Sequence, residues 1–297
     1  MIKLAAQIEG IGLLGPGLDS WTGSTALLEG RSPYIPRPTV LPIPDGLPPA
    51  ERRRLGRVVK LALGVALQAT SRAGADPAAL PSVFASSGGD GQNCHEICEG
   101  LSLDERLISP TRFHNSVHNA AAGYWSIATG SQAASNAVCA FDASFAAGLL
   151  EAVTQVVVEQ TAVLLVAYDA QYPPPLFVKR PIPEAFGVAL VLVPVAESVA
   201  AAGSARAGHS APDLAAPVAS TGPAPRSGRG AHGQLTLSFS DSPAERMQDP
   251  ALESLRASIP AARSLPLLYQ LAVRKPAVVN IEYLDGRCIA VEVDPCA

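Results

Sequence analysis

The chain has 297 residues, 48% of them hydrophobic, enough to bury a sizeable core as one large domain or two small ones. A formal net charge of −4 and a pI near 5.7 exclude a general attraction to nucleic acid, so any basic surface is local. Residues 1–18 are broken by Gln7 and Glu9, and residues 186–202 carry Pro194 and Glu197, so neither reads as an export signal or a membrane span and the expected location is the cytoplasm.

Residues 2–14 read as a first strand running into a turn marked by Gly10, Gly12, Gly15 and Gly17. A helix over 21–29 follows. Residues 33–49 are then a proline-rich connector, because the residue before each proline is biased toward extended backbone. From Glu51 to about Arg72, Leu55, Val58, Val59, Ala62, Val65 and Ala66 recur at helical spacing, which predicts one helix with a proline-marked start. Its first half crowds Arg52, Arg53, Arg54, Arg57 and Lys60. Residues 81–87 form a short buried strand before Gly88 and Gly89, and helices are expected over 95–101, 115–128 and 142–159. A short strand over 135–139 precedes the last of these. Residues 162–168 and 188–193 are continuous apolar strands. Strands apolar on both faces, alternating with helices, predict an α/β layered fold around a largely internal sheet.

Residues 200–233 turn to Ala, Pro, Ser and Gly, which cannot bury enough surface to offset ordering, so a flexible loop is expected there. It divides residues 1–199 from a carboxy-terminal segment, 234–297. In that segment Leu235, Leu237 and Phe239 alternate as a strand and 265–273 is an amphipathic helix. Asp285-Gly286 between two β-branched runs predicts a closing hairpin.

The five cysteines stand at 94, 98, 139, 288 and 296, and an odd count in a core-rich chain favours reduced thiols. Cys94, His95 and Cys98 lack the second ligand pair that structural zinc requires, so they read as one turn of a surface helix.

The order and spacing of several motifs resemble the amino-terminal half of a β-ketoacyl synthase, in the thiolase superfamily. Gly10-Ile11-Gly12-Leu13-Leu14-Gly15-Pro16-Gly17-Leu18 resembles the opening strand and turn, and Val83-Phe84-Ala85-Ser86-Ser87-Gly88-Gly89 the strand before the dimer-facing region. Ile108-Ser109-Pro110-Thr111-Arg112-Phe113-His114-Asn115-Ser116-Val117-His118-Asn119, with Ala122-Gly123-Tyr124-Trp125-Ser126-Ile127, is similar to a short ketosynthase-like or chain-length-factor subfamily found beside aryl-polyene pigment synthases. The resemblance implies a thiolase-like layered fold, with one complete half and a reduced second half ending in the hairpin.

It also implies a cysteine nucleophile at a strand-to-helix turn, where helix amides favour the thiolate. Residues 135–152 occupy that place. Counting forward from Gly130 puts Cys139 at the nucleophile position, whereas counting back from Gly148 puts Ala140 there, because the segment is one residue longer than the usual spacing. Phe141-Asp142 replaces the small pair that normally follows, and an acid so near opposes a thiolate. Asp142 also suits a helix N-cap. Cys139 is therefore the candidate nucleophile, with a buried structural thiol as its alternative. The two histidines that such synthases use to decarboxylate the extender unit have no counterpart, because His209 and His232 fall in the stretch expected to be flexible. His114 and His118, four apart at an expected helix start, would share a face as a metal pair or base, or else pack the helix or line a subunit interface. With no carboxylate at zinc-enzyme spacing, no metal or cofactor is expected.

Three functions follow. In the preferred one the chain is a chain-length-factor-type subunit without condensing activity, paired as a heterodimer with a full-length β-ketoacyl synthase through residues 113–127 and the Cys139 strand. Phe113, His114, His118, Tyr124, Trp125, Phe141 and Phe145 are then candidates for pocket or interface, with core packing as the alternative for each. In the second it is an acyltransferase using Cys139. In the third it is a docking or scaffold protein, with Arg52, Arg53, Arg54 and Arg57 meeting an acidic acyl carrier protein, or else simply forming a solvated helix face.

Overall fold

The computed structural model describes residues 4–44, 46–195 and 231–296. Eight strands are found among the described residues: β1 Leu4–Leu14, β2 Ser82–Ala85, β3 Ser135–Val138, β4 Val163–Asp169, β5 Phe186–Val193, β6 Gly233–Ser240, β7 Ala277–Glu282 and β8 Cys288–Asp294. They form one sheet in the order β3-β2-β4-β5-β1-β6-β8-β7. β2 pairs in parallel with β3 and β4, and every other pairing is antiparallel.

The helices are α1 Trp21–Leu28, α2 Pro49–Arg54, α3 Arg57–Ala73, α4 Gly91–Ser102, α5 Pro110–His114, α6 Ala120–Thr129, α7 Ser144–Glu159, α8 Pro174–Phe177, α9 Pro250–Ser258 and α10 Leu265–Val273. The central strands are apolar on both faces because each face is covered. In β4, Val163, Leu165 and Ala167 enter the core shared with α7, while Leu164, Val166 and Tyr168 enter the one shared with α3 and α6. In β1 a register shift between Ile8 and Gly10 keeps Ala6, Ile8, Ile11 and Leu13 in a single core. The stretch Phe141–Glu159 is apolar and long enough to cross a membrane, yet Phe145, Leu149, Val153 and Val156 are buried against the sheet.

The helix expected over 51–72 is two helices, because Leu55 is extended (ψ 123°) and Gly56 caps α3. A side chain on Gly56 would meet the Asp90 carboxylate, its Cβ lying 2.4 Å from Oδ2. The helix expected over 115–128 begins only at Ala120, as α6, and a separate short helix, α5, ends at His114 before it. Asn115 between them donates to the Arg54 carbonyl and accepts from the Tyr124 hydroxyl, each at 3.1 Å. His114 and His118 therefore do not share a helix face.

The carboxy-terminal strands do not build a sheet of their own. β6 pairs with β1, Leu4 opposite Leu237, and so continues the first sheet, with α10 covering one side. Asp285 (φ 57°) and Gly286 (φ 74°) turn the closing hairpin in left-handed backbone, as their sequence requires. α9 is not visible in the apolar pattern; Asp249 caps it by accepting from the amides of Ala251 and Leu252. His209 and most of the stretch expected to be flexible lie outside the described residues. His232, expected within it, donates its backbone N–H to Ile8 at 2.8 Å and sets its ring edge-on to Trp21. Burial pushes its imidazole pKa down, and the charges of Arg274 and Arg72 add to that shift.

Candidate functional site

The carboxyl ends of the parallel strands β2, β4 and β3 bring three segments together, the place where sheets of this kind present their chemistry. β2 leads into Ser86-Ser87-Gly88-Gly89, β4 ends at Asp169, and β3 leads through Cys139 into the turn before α7.

Asp169 organises the first two segments. It is fully buried. Its Oδ1 accepts from the Ser87 amide at 2.9 Å, the Ser87 hydroxyl at 2.6 Å and the Ser86 hydroxyl at 3.4 Å, while Oδ2 accepts from the Ala261 amide at 2.9 Å. Burial pushes its carboxyl up to about 6, although these hydrogen bonds and the Arg180 charge pull the other way. Gly88 lies against Tyr172, whose hydroxyl would be 2.2 Å from a Cβ there. His118 Nε2 is 3.0 Å from the Ser86 carbonyl oxygen.

The third segment carries the candidate nucleophile. The Cys139 thiol is exposed, and Sγ donates to the Ser87 carbonyl at 3.4 Å. Ala140 then bends the chain, and Phe141 is the residue in left-handed backbone, with φ 51°. The two sequence counts point to 139 and 140; the strained residue at the strand-to-helix turn is 141. Ser144 locks the turn by accepting from the Ala140 amide at 3.0 Å and donating to the Phe141 carbonyl at 2.7 Å. A helix core glycine follows: a Cβ on Gly148 would lie 2.7 Å from the Ala85 side chain.

Asp142 does not cap the helix, as its sequence position suggested. Its oxygens take Arg180 at 2.6 Å and Arg263 at 3.2 Å. The Arg180 guanidinium also lies 3.6 Å from the centroid of the Phe141 ring, which is 64% exposed. Sequence reasoning missed Asp169, Arg180 and Arg263, since nothing local marks them as neighbours of the turn.

The other sequence candidates separate into surface and interior. Phe113 is exposed, and so is His114, which stands edge-on to Tyr124. Tyr124, Trp125 and Phe145 are each 1% exposed and belong to the cores, so they cannot line an open wall or an interface. Arg54 pairs with Glu51 at 3.0 Å and Arg57 with Glu184 at 3.2 Å, while Arg53 is exposed on α2 beside the half-buried Arg52. Cys94 and Cys98 lie exposed on α4, where His95 pairs with Glu99 at 3.3 Å. Among the described residues no group of three or more His, Cys, Asp or Glu side chains is placed to hold a metal ion.

Large apolar side chains are exposed in the segments before and after β3. Leu103, Leu107, Phe113, Val117, Ile127 and Phe141 are all exposed by more than half. Phe141 follows β3, and Ile127 lies on α6, which packs beside β3, an edge strand whose outer side has no strand partner among the described residues.

Residues 30–232 match the family described as Beta-ketoacyl synthase, N-terminal domain. No curated protein matches the sequence. Three solved structures resemble the chain over nearly its whole length. A chain from the complex of the ketosynthase ApeO with its chain length factor ApeC, from Xenorhabdus doucetiae, is 21% identical with a TM-score of 0.66, over 97% of this chain and 99% of that one. A chain of the ishigamide ketosynthase/chain length factor is 14% identical with a TM-score of 0.68, over 99% of this chain and 100% of that one. A chain of the type II AntDE:AntF complex, a ketosynthase with its acyl-carrier protein, is 10% identical with a TM-score of 0.70, over 99% and 100%. At these identities the likeness concerns the fold, a thiolase-like layering of helices on a mixed sheet. With more than half of its length matched by the family and its fold shared with ketosynthase complexes, the chain belongs to the β-ketoacyl synthase family through its amino-terminal domain.

Proposed function

We propose that this protein is a chain-length-factor-type subunit. It pairs as a heterodimer with a full β-ketoacyl synthase, works with acyl carrier protein in fatty-acid or polyketide-type assembly of the aryl-polyene kind, and adds no condensation of its own. The proposed setting is the cytoplasm.

One observation carries this reading. The strand-to-helix turn, where the family's chemistry calls for an activated thiol, presents the aromatic ring of Phe141 beneath Arg180, with Asp142 held beside it. Cys139 precedes that turn and is engaged with the Ser87 carbonyl. The exposed apolar side chains of Ile127 and Phe141 beside the open edge strand β3 support a protein partner on this face. The solved structures that match end to end come from complexes whose names pair a ketosynthase with a chain length factor or an acyl-carrier protein.

The test is co-expression with the partner synthase. The expected result is a one-to-one complex whose product formation survives Cys139→Ala here and is lost when the synthase's own nucleophile is removed. Product formation that survives loss of the synthase's nucleophile and stops with Cys139→Ala would overturn the proposal. Exposure of the Cys139 thiol favours one second reading, acyl transfer from carrier protein without decarboxylation.

A further inference from the structure

Asp142 begins a chain of ion pairs that crosses the molecule. Arg263 joins it to the carboxy-terminal strands, since Arg263 Nη2 lies 3.2 Å from Asp142 and Nε lies 3.6 Å from Glu282. Glu282 accepts from Arg256 Nη1 at 2.9 and 3.0 Å. Arg256, with its side chain 7% exposed, also donates to both oxygens of Glu253 at 2.7 and 2.8 Å. With Arg180, the three arginines balance the three carboxylates. The chain of ion pairs runs from the Asp142 side chain, 41% exposed, to the buried Arg256, where breaking a link strands a neighbouring charge.

Its members come from opposite edges of the sheet. Asp142 follows edge strand β3, and Glu282 ends edge strand β7. The 3₁₀ turn Pro260–Ser264, which carries Arg263, spans the gap and is itself fixed by Asp169 through the Ala261 amide at 2.9 Å.

Phe141 is where such support is needed. Left-handed backbone is disfavoured for any residue with a Cβ, and an aromatic one gains nothing from the local hydrogen bonds that let Asn or Asp tolerate it. The neighbouring Asp142 is gripped from both sides, and one of the gripping arginines also covers the Phe141 ring.

We propose that Asp142 is a positioning residue: held between Arg180 and Arg263, it keeps Phe141 in its left-handed conformation and presents the ring as a fixed contact for the partner synthase. The carboxy-terminal segment, through Arg263 and Glu282, is the brace for that turn. The contact role rests on the heterodimer reading above; the clamp itself does not.

The experiment places Asp142→Asn in three backgrounds of the full chain: wild type, Phe141→Ala and Phe141→Gly. Alanine removes the ring but keeps the strain, and glycine removes both. Asp142→Asn is expected to lower Tm by about 2–4 °C in the third background and by less than half of that in the first two, where losing the clamp also releases the strain. An equal loss in all three makes Asp142 an ordinary structural ion pair and overturns the positioning role. Should Asp142→Asn fail to fold, Arg263→Gln takes its place in the same cycle. A second arm measures affinity for the partner synthase, where Asp142→Asn is expected to weaken binding about tenfold. Unchanged binding overturns the contact role. No binding by the wild-type chain overturns the heterodimer reading and the contact role together, and the thermal arm then decides the clamp.

Discussion

A methyl group on Gly12 would sit 2.0 Å from the carbonyl oxygen of Val65. The same holds one step along β1, where a Cβ on Gly10 would lie 2.2 Å from the Ala69 oxygen. α3 therefore rests directly on the backbone of the strand that joins the two parts of the sheet. These glycines are needed for close approach rather than for a turn, which is how the sequence alone presents them.

Gly12→Ala is expected to destabilise the chain by about 3 kcal/mol or more, since helix backbone rather than a flexible side chain must move. Gly123, exposed in α6 with nothing within 4 Å of its Cβ position, is the control. Gly123→Ala is expected to be neutral or to stabilise by about 0.5–1 kcal/mol. Urea denaturation of both variants checks the contrast, and equal effects would rule out the backbone contact.

Asp169 gives the stability a pH dependence of defined sign. Its folded-state pKa, pushed up by burial to about 6, lies above the ordinary carboxylate value of 3.8. Between about pH 4 and 6 the folded chain keeps a proton that the unfolded chain has lost, so stability from this group falls as pH rises, by at most about 1.4 kcal/mol per unit. Above about pH 6 the contribution is constant. Subtracting the unfolding free energies of Asp169→Asn from those of the wild type across pH 4–8 should isolate that slope. A difference that is flat or rises over the window would contradict it.

The arginines of α2 are proposed to receive the acidic carrier protein. Arg53 and Arg54 lie on its exposed side, and the Arg54 carbonyl is tied to the buried Asn115. Arg53→Glu with Arg54→Glu is expected to weaken carrier binding about tenfold at low salt, and the deficit should shrink as ionic strength rises. Carrier binding that is indifferent to the charge swap would leave α2 as an ordinary solvated helix.

The layered α/β arrangement, most strands, the 265–273 helix and the Asp285-Gly286 hairpin were legible because each depends on local chemistry: apolar periodicity or turn residues. The break at Gly56 and the non-helical stretch from Asn115 to α6 were not, since both answer to partners far along the chain, Asp90 and the Arg54 carbonyl. At the candidate site, the extra residue and the Phe141-Asp142 pair marked the turn as unusual. Phe141 takes positive φ beside Asp142, whose partners Arg180 and Arg263 lie 38 and 121 positions further on, and no spacing rule reaches that far. Tyr124, Trp125 and Phe145 looked available for a wall only because an apolar side chain in a helix does not declare which side of the helix is covered.

The central claim is that this chain does not use its own thiol. The measurement that tests it most directly is the intact mass of the protein after incubation with an acyl-carrier-protein thioester, beside a Cys139→Ala control, with folding and donor competence verified. The account predicts no gain in mass for either protein. A gain of one acyl group in the wild type that vanishes in Cys139→Ala would contradict it and make the chain an acyltransferase.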